Sequence, residues 1–159
     1  MSIEKVKAYL DKFSAGGRIR QFPVSSATVP EAAAALHCDE ARIAKTMSFA
    51  SSDGAILVVT AGDMKIDNRK FKDTFHIKAA MLPHSDVEEK TGHAIGGVCP
   101  FAVNEGVSVY LDQSLRRFET VFPACGSSNS AIELTIPELE QFSGYTAWVD
   151  VCKKQGEAI

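Results

Sequence analysis

Between Ile3 and Phe13 the apolar residues Ile3, Val6, Leu10 and Phe13 recur at helical spacing, with Lys5, Lys7 and Asp11 between them. That spacing predicts an amphipathic helix. Gly16 and Gly17 end it, and "RIRQF" follows as a short strand. Further on the period falls to two. "VSVYLD" sets Val107, Val109 and Leu111 on one face and Ser108, Tyr110 and Asp112 on the other, and "AIELTI" repeats the alternation with Ile132, Leu134 and Ile136. "AILVVT" is apolar on both faces and predicts a central strand. "FETVF" and "TAWVDV" add two more. Read as a strand, "ARIAKTMSFA" puts Ile43, Lys45, Met47 and Phe49 on one face, with Lys45 the odd member of an apolar row.

Three Ser/Thr-x-x-Glu boxes predict helix starts: Thr28/Glu31, Ser85/Glu88 and Thr135/Glu138. Pro30 and Pro137 sit in first turns, where a missing N–H does no harm. Gly92 is a C-terminal stop, and a further short helix is expected over Asn68 to Phe75. Strands outnumber helices. The pattern predicts an α+β fold in a single domain over residues 1–159, a curved mixed sheet with helices packed outside it. The tail "KKQGEAI" is expected to fray.

Composition narrows the function classes. A chain of 159 residues, 45% hydrophobic, can bury one core. Its net charge of −3 and pI of about 5.8 argue against a surface that coats nucleic acid, DNA included, but leave room for a local patch on one end of an RNA. Met1 to Asp11 is too charged for a secretory leader, and no apolar run approaches membrane length. A cytoplasmic protein with no membrane partner is expected. Cys38, Cys99, Cys125 and Cys152 form no C-x-x-C pair and have no histidine at zinc-finger spacing, so no metal or cofactor is expected and the thiols should be reduced.

Four stretches carry candidate chemistry. Lys45 either snorkels from a strand end or supplies a fixed positive charge to a pocket. In "TGHAIGGVCPFA", Gly96 and Gly97 allow main chain to approach a ligand and Pro100 fixes the exit, although a plain tight loop uses the same residues. Cys99 lies in that loop, with no residue in the sequence evident as its base, and reads as a small apolar packer. "GSSNS", Gly126 to Ser130, is a polar turn that offers hydroxyl donors. "KIDNRKFKDTFHIK" is the densest basic run in an acidic chain, where Lys65, Arg69, Lys70, Lys72 and Lys78 outnumber Asp67 and Asp73; it is either a solvated helix face or a dock for a phosphate backbone, with Lys65, Arg69 and Lys70 the candidate RNA contacts. No P-loop, dinucleotide fingerprint or Ser-His-Asp order is evident.

In order, "TVPEAAAAL", "IAKTMSF", "LVVTAGDMKID", "TGHAIGGVCPFA", "YLDQSLRRFETVF" and "GSSNSAIEL" resemble the YbaK/ProX-type aminoacyl-tRNA deacylases, free-standing relatives of the editing domain inserted in bacterial prolyl-tRNA synthetases. The resemblance spans about Thr28 to Val151. It implies a partly closed, barrel-like mixed sheet and hydrolysis of the ester joining a wrong amino acid to the tRNA 3′ end. An aminoacyl-tRNA synthetase is an implied partner. Lys45 is implied to orient the terminal nucleotide or the scissile ester, and the main chain of Gly96 and Gly97 to position the attacking water or ribose hydroxyl. Thr28, Met47, Val98, Cys99, Pro100, Ser127, Ser128 and Asn129 are implied to line the aminoacyl pocket. Members acting on cysteinyl-tRNA carry a serine where this chain has Ala124 and Cys125, and an aromatic residue near Thr28, so alanyl-, seryl- and threonyl-tRNA fit at least as well. Two other classes stay open at this point: a non-catalytic tRNA or nucleotide-binding module, and a thiol enzyme using Cys99.

Overall fold

The computed structural model describes residues 2–52 and 54–155. Helices run over Ser2–Asp11 (α1), Val29–Leu36 (α2), Asn68–Phe75 (α3), His84–Thr91 (α4) and Ile136–Ser143 (α5). Strands run over Arg20–Gln21 (β1), Ile43–Ser51 (β2), Gly54–Ala61 (β3), Met64–Ile66 (β4), Val107–Asp112 (β5), Thr120–Pro123 (β6), Ser130–Ala131 (β7), Leu134–Thr135 (β8), Ala147–Val149 (β9) and Cys152–Lys154 (β10). Six strands form a mixed, curled sheet in the order β8-β6-β2-β3-β5-β9, and the pairs β1-β7 and β4-β10 make two short ribbons.

The "AILVVT" strand is central because both its faces are covered. Leu57 and Val59 point to a core shared with Val109, Leu111, Val6 and Leu10 of α1, and Leu139 and Phe142 of α5. Ile56 and Val58 point to a second core with Phe49 and Phe71 of α3. An aromatic chain, Phe49–Phe71–Phe75–Tyr110, runs through that second core with centroid spacings of 4.8, 4.6 and 4.8 Å. Hence Tyr110 is half-buried rather than solvent-facing. Asp112 is buried too, and its carboxylate accepts from the main-chain N–H groups of Ser114 and Val151.

Two capping boxes form as the sequence predicts, at Thr28/Glu31 and Thr135/Glu138. The third does not. α4 starts two residues early, at His84, with Pro83 at the cap and no side-chain capping bond, because the ring of Pro83 fixes the chain path into the helix and the helix begins directly after it. "AIELTI" is not one strand. It breaks after Ala131 into β7 and β8, and Ile136 opens α5 instead of continuing the alternation. Of "RIRQF" two residues are strand, since Gly16–Arg18 is a 3-10 turn. "TAWVDV" contributes β9 and then breaks. Lys153 and Lys154 of the expected frayed tail lie in β10, paired with β4, and the last four residues lie outside the described ones.

Candidate functional site

β2 builds the site. Along one edge it pairs with β3 from Ala44 to Ser51. Along its other edge β6 pairs at Ile43 and Ala44. That edge is next engaged at Ser48, whose carbonyl accepts from Leu82 N–H, and at Ala50, whose N–H donates to the Ala80 carbonyl. Between these contacts, at residues 45–47, no strand among the described residues covers the edge. Antiparallel alternation turns the N–H and carbonyl of Thr46 toward the same side as those of Ser48 and Ala50, so they face this gap.

The gap opens into a cavity of about 230 Å³. Its wall comes from the loop before α2 (Ser26 to Thr28), from β2, from Leu82 to Val87 at the start of α4, from Ile95 to Val98, and from the β6–β7 turn. Among the described wall residues the ionisable side chains are Lys45 and His84; there is no carboxylate. The hydroxyl residues Ser26, Thr28, Thr46, Ser48 and Ser130 supply the remaining side-chain polarity. Met81 and Ile95 stand at the wall more than half exposed to solvent.

Lys45 is half-buried, and burial pulls its pKa below the ordinary lysine value. Its ammonium donates to the carbonyl of Met64 in β4. Lys45 shares its sheet face with Met47 and Phe49, as the alternation of β2 requires.

Of the residues the sequence singles out, Thr28, Lys45, Met47, Gly96 and Val98 lie on the cavity wall. Gly96 adopts φ +90, the left-handed region that favours glycine. Gly97 serves a different end. A Cβ there would fall 2.6 Å from the carbonyl carbon of Gly126 and 2.7 Å from the nitrogen of Ser127, so its bare backbone lets the two loops touch. Cys99 and Pro100 are buried behind the wall. Ser127, Ser128 and Asn129 hold the neighbouring loops together. Ser127 Oγ donates to Ser130 Oγ at 2.7 Å, Ser128 carbonyl accepts from Ser26 N–H, and Asn129 both accepts from and donates to Phe22. Arg69 and Lys65 are exposed, and Lys70 is bonded to Asp150 and to the carbonyl of Cys152.

The sequence does not mark His93 as a partner for Cys99, yet the fold sets its Nε2 3.6 Å from the Cys99 sulfur. This is not a nucleophile–base pair. Both side chains are fully buried, His93 Nε2 lies 2.7 Å from the Phe101 carbonyl, and burial pushes the thiol up to about 12. Sequence reasoning missed Ser26, Thr46, Ser48, His84 and Met81 on the wall. Ser48 and Thr46 flank Met47 on the strand already singled out, so the strand pattern held that signal; Met81 comes into place through an isolated bridge to Phe49, which no local pattern announces.

Among the described residues no group of three His, Cys, Asp or Glu is placed to hold a metal ion, and no helix is long and apolar enough to cross a membrane.

The comparisons with known proteins agree with this geometry. Over 154 residues the chain is 51% identical to the uncharacterized protein YwhH of Bacillus subtilis, covering 96% of this chain and 98% of that one. It is 29% identical over 90 residues to the proline–tRNA ligase of the same species, a match that takes in 56% of this chain and 16% of the ligase. The crystal structure of a candidate trans-editing enzyme for prolyl tRNA synthetase superposes with a TM-score of 0.85 at 29% identity, with 98% of each chain covered. Residues 24–142 match the family model of the aminoacyl-tRNA editing domain, and with the shared YbaK-like fold this places the chain in the aminoacyl-tRNA editing domain family.

Proposed function

We propose that the protein is a trans-acting deacylase that hydrolyses the ester between a small amino acid and the 3′ end of a mischarged tRNA. The observation that carries the reading is the cavity at the open edge of β2: small, with Lys45 and His84 as its ionisable groups, and with no carboxylate on its described wall. At about 230 Å³ it lies below the ~300–1,000 Å³ of typical ligand pockets. A small aminoacyl group matches that size. The absence of acidic side chains suits a ligand that brings its own negative charge, such as a ribose joined to phosphate.

The chemistry asks little of the chain. Water adds to the ester carbonyl, the bond to the ribose oxygen breaks, and the products are a free amino acid and a tRNA with its terminal hydroxyl restored. An aminoacyl ester is activated already, so positioning and a few polarising donors supply the catalysis. Lys45 is a residue of the open edge itself and would hold the terminal nucleotide or the ester carbonyl. The outward N–H and carbonyl of Thr46 and the main chain of Gly96 would fix the aminoacyl group and the attacking water. A second pocket of this kind has a physical purpose: a synthetase gains only ~1–3 kcal/mol by rejecting one methylene or hydroxyl, so small wrong amino acids get through.

The test is a deacylation time course on tRNA loaded separately with alanine, serine, threonine, cysteine or proline. One or two of the small esters should be hydrolysed by the wild type, and Lys45→Ala should slow that hydrolysis at least ~100-fold with little change in thermal stability. Equal turnover by Lys45→Ala would remove Lys45 from the mechanism, and no hydrolysis of any ester would overturn the reading.

A further inference from the structure

The ribbon of β4 and β10 sets two lysines directly opposite each other. The register pairs Lys65 with Lys153, flanked by Met64 with Lys154 and Ile66 with Cys152. Met64, Ile66 and Cys152 turn inward to the core around Phe71. Strand alternation therefore sends Lys65 and Lys153 outward, on the same face of the ribbon. Like charges at directly opposed positions destabilise an antiparallel pair. Among the described residues neither lysine has a carboxylate in salt-bridge range, whereas Lys70 nearby is bonded to Asp150 and Arg117 to Asp63. Asp67, whose carboxylate caps α3 through the N–H groups of Arg69 and Lys70, lies close enough for its field to reach Lys153 and offsets part of the repulsion without forming an ion pair. In a chain of net charge −3, the fold sets Lys65 and Lys153 side by side on one face of the ribbon, with no ion-pair partner for either among the described residues.

One side chain links that ribbon to the cavity. Lys45 belongs to the cavity wall, and its ammonium donates to the carbonyl of Met64, one residue before Lys65. Gln155 Nε2 reaches the same carbonyl. The ribbon thus begins where the Lys45 side chain ends.

We propose that Lys65 and Lys153 together form a phosphate clamp for the RNA strand whose 3′ end enters the cavity. The inference rests on the deacylase reading for the identity of the strand and adds β10 to the binding surface. The backbone of an RNA is the fitting occupant: it supplies a row of negative charges, and the strand is continuous with the ester held in the cavity. A phosphate between the two ammonium groups removes their repulsion, so binding and ribbon stability are linked.

Charge reversal separates this role from a structural one. In K153E and in K65E an opposite-charge pair replaces the like-charge pair, so the free protein should gain about 1–4 °C in Tm. Affinity for an uncharged acceptor-stem RNA ending in CCA, followed by fluorescence anisotropy, should fall several-fold for each. The slope of log affinity against log salt should shrink by about 0.7–0.9 for each phosphate that is no longer neutralised. K153M keeps the stem, removes the charge, and should reduce the slope likewise. K7E, on α1 at the opposite face of the sheet, makes the same change in net charge and should leave the slope at the wild-type value. The clamp is overturned if K153M and K153E bind with the wild-type slope, if K7E weakens binding as much, or if the wild type does not bind the RNA. Deacylation by the wild type is scored in parallel. RNA binding that depends on the pair without ester hydrolysis would sink the proposed reaction and leave the clamp; hydrolysis with an unaltered slope in K153M would do the reverse.

Discussion

Burial sets the candidate side chains of this protein apart. Lys45 stands half-buried at a cavity wall, where partial desolvation lowers its pKa while the ammonium keeps a carbonyl partner. Cys99 sits in the core with no exposure, and its thiol is pushed up to about 12, so the thiolate that a nucleophile requires is absent at neutral pH. A thiol mechanism would need Cys99, and the expectation here is the opposite. Cys99→Ala should retain turnover on the preferred ester while losing about 1–2 kcal/mol of stability to the small void left behind. Urea unfolding checks the second quantity and single-turnover hydrolysis the first. Loss of hydrolysis in a variant that still folds would restore the thiol as a candidate. The approach of Cys99 to His93 shows why proximity alone is a poor guide: a sulfur 3.6 Å from an imidazole reads as a dyad until the burial of both is counted.

Elements differ in how openly the chain announces them. β3 was legible because both its faces are apolar, and β2 because its alternation sets Lys45 among Met47 and Phe49. The caps of α2 and α5 were legible because a Thr three residues before Glu satisfies two end groups at once. The false box at Ser85 shows the limit: a proline two residues earlier fixes the chain path and claims the cap position. β7 and β8 were hidden for another reason. Arg18 and Glu133, joined by a bond from the guanidinium to the Glu133 carbonyl, draw the chain away between the two strands, and no period in "AIELTI" records that distant partner. The cavity itself was out of reach of pattern reading, since it is made by what fails to pair with β2 at residues 45–47. The Gly-Gly loop was half legible. Gly96 needs its left-handed φ, whereas Gly97 is bare because another loop's backbone occupies the space of a Cβ. Gly97→Ala should therefore cost about 1–3 kcal/mol and displace the Gly96 wall, raising KM more than it lowers kcat. Chemical denaturation together with steady-state kinetics measures both; a variant with wild-type stability and KM would show that the two loops part without consequence.

At the scale of the whole molecule, charged side chains tie the early chain to the late chain. Arg18 holds Glu138 at 2.6 Å, and Glu133 takes both Arg20 and Arg42, so the segment after α1 is pinned to the β8–α5 corner more than a hundred positions away. Arg20 and Arg42 also lie over the ring of Phe122, a residue of the cavity wall. At neutral pH such half-exposed pairs add little, ~0–1 kcal/mol each. Acid is where that contribution is lost. Glu138 is held down to about 2, chiefly by the bond from Arg18, and Glu133 is lowered mainly by its bond from Thr120 with help from Arg20 and Arg42. A carboxylate held below its unfolded value lends stability that is complete above that value and is lost as pH falls toward the folded one. His93 acts over a higher range. Burial holds its ring neutral, so the folded state resists the proton that the unfolded chain accepts near the ordinary histidine value of about 6.5. Stability should thus fall in two limbs on acidification, the first beginning near pH 6.5 and the second below about pH 4.5. Arg18→Gln should flatten the second limb and leave the first in place, because only the carboxylate loses its partner. Urea midpoints taken at intervals from pH 7 to pH 2 resolve the two. If the lower limb of Arg18→Gln overlays that of the wild type, the corner is held by the packing of Leu139 and Phe142 alone, and the ion pairs are ornaments on a fold that α5 already secures.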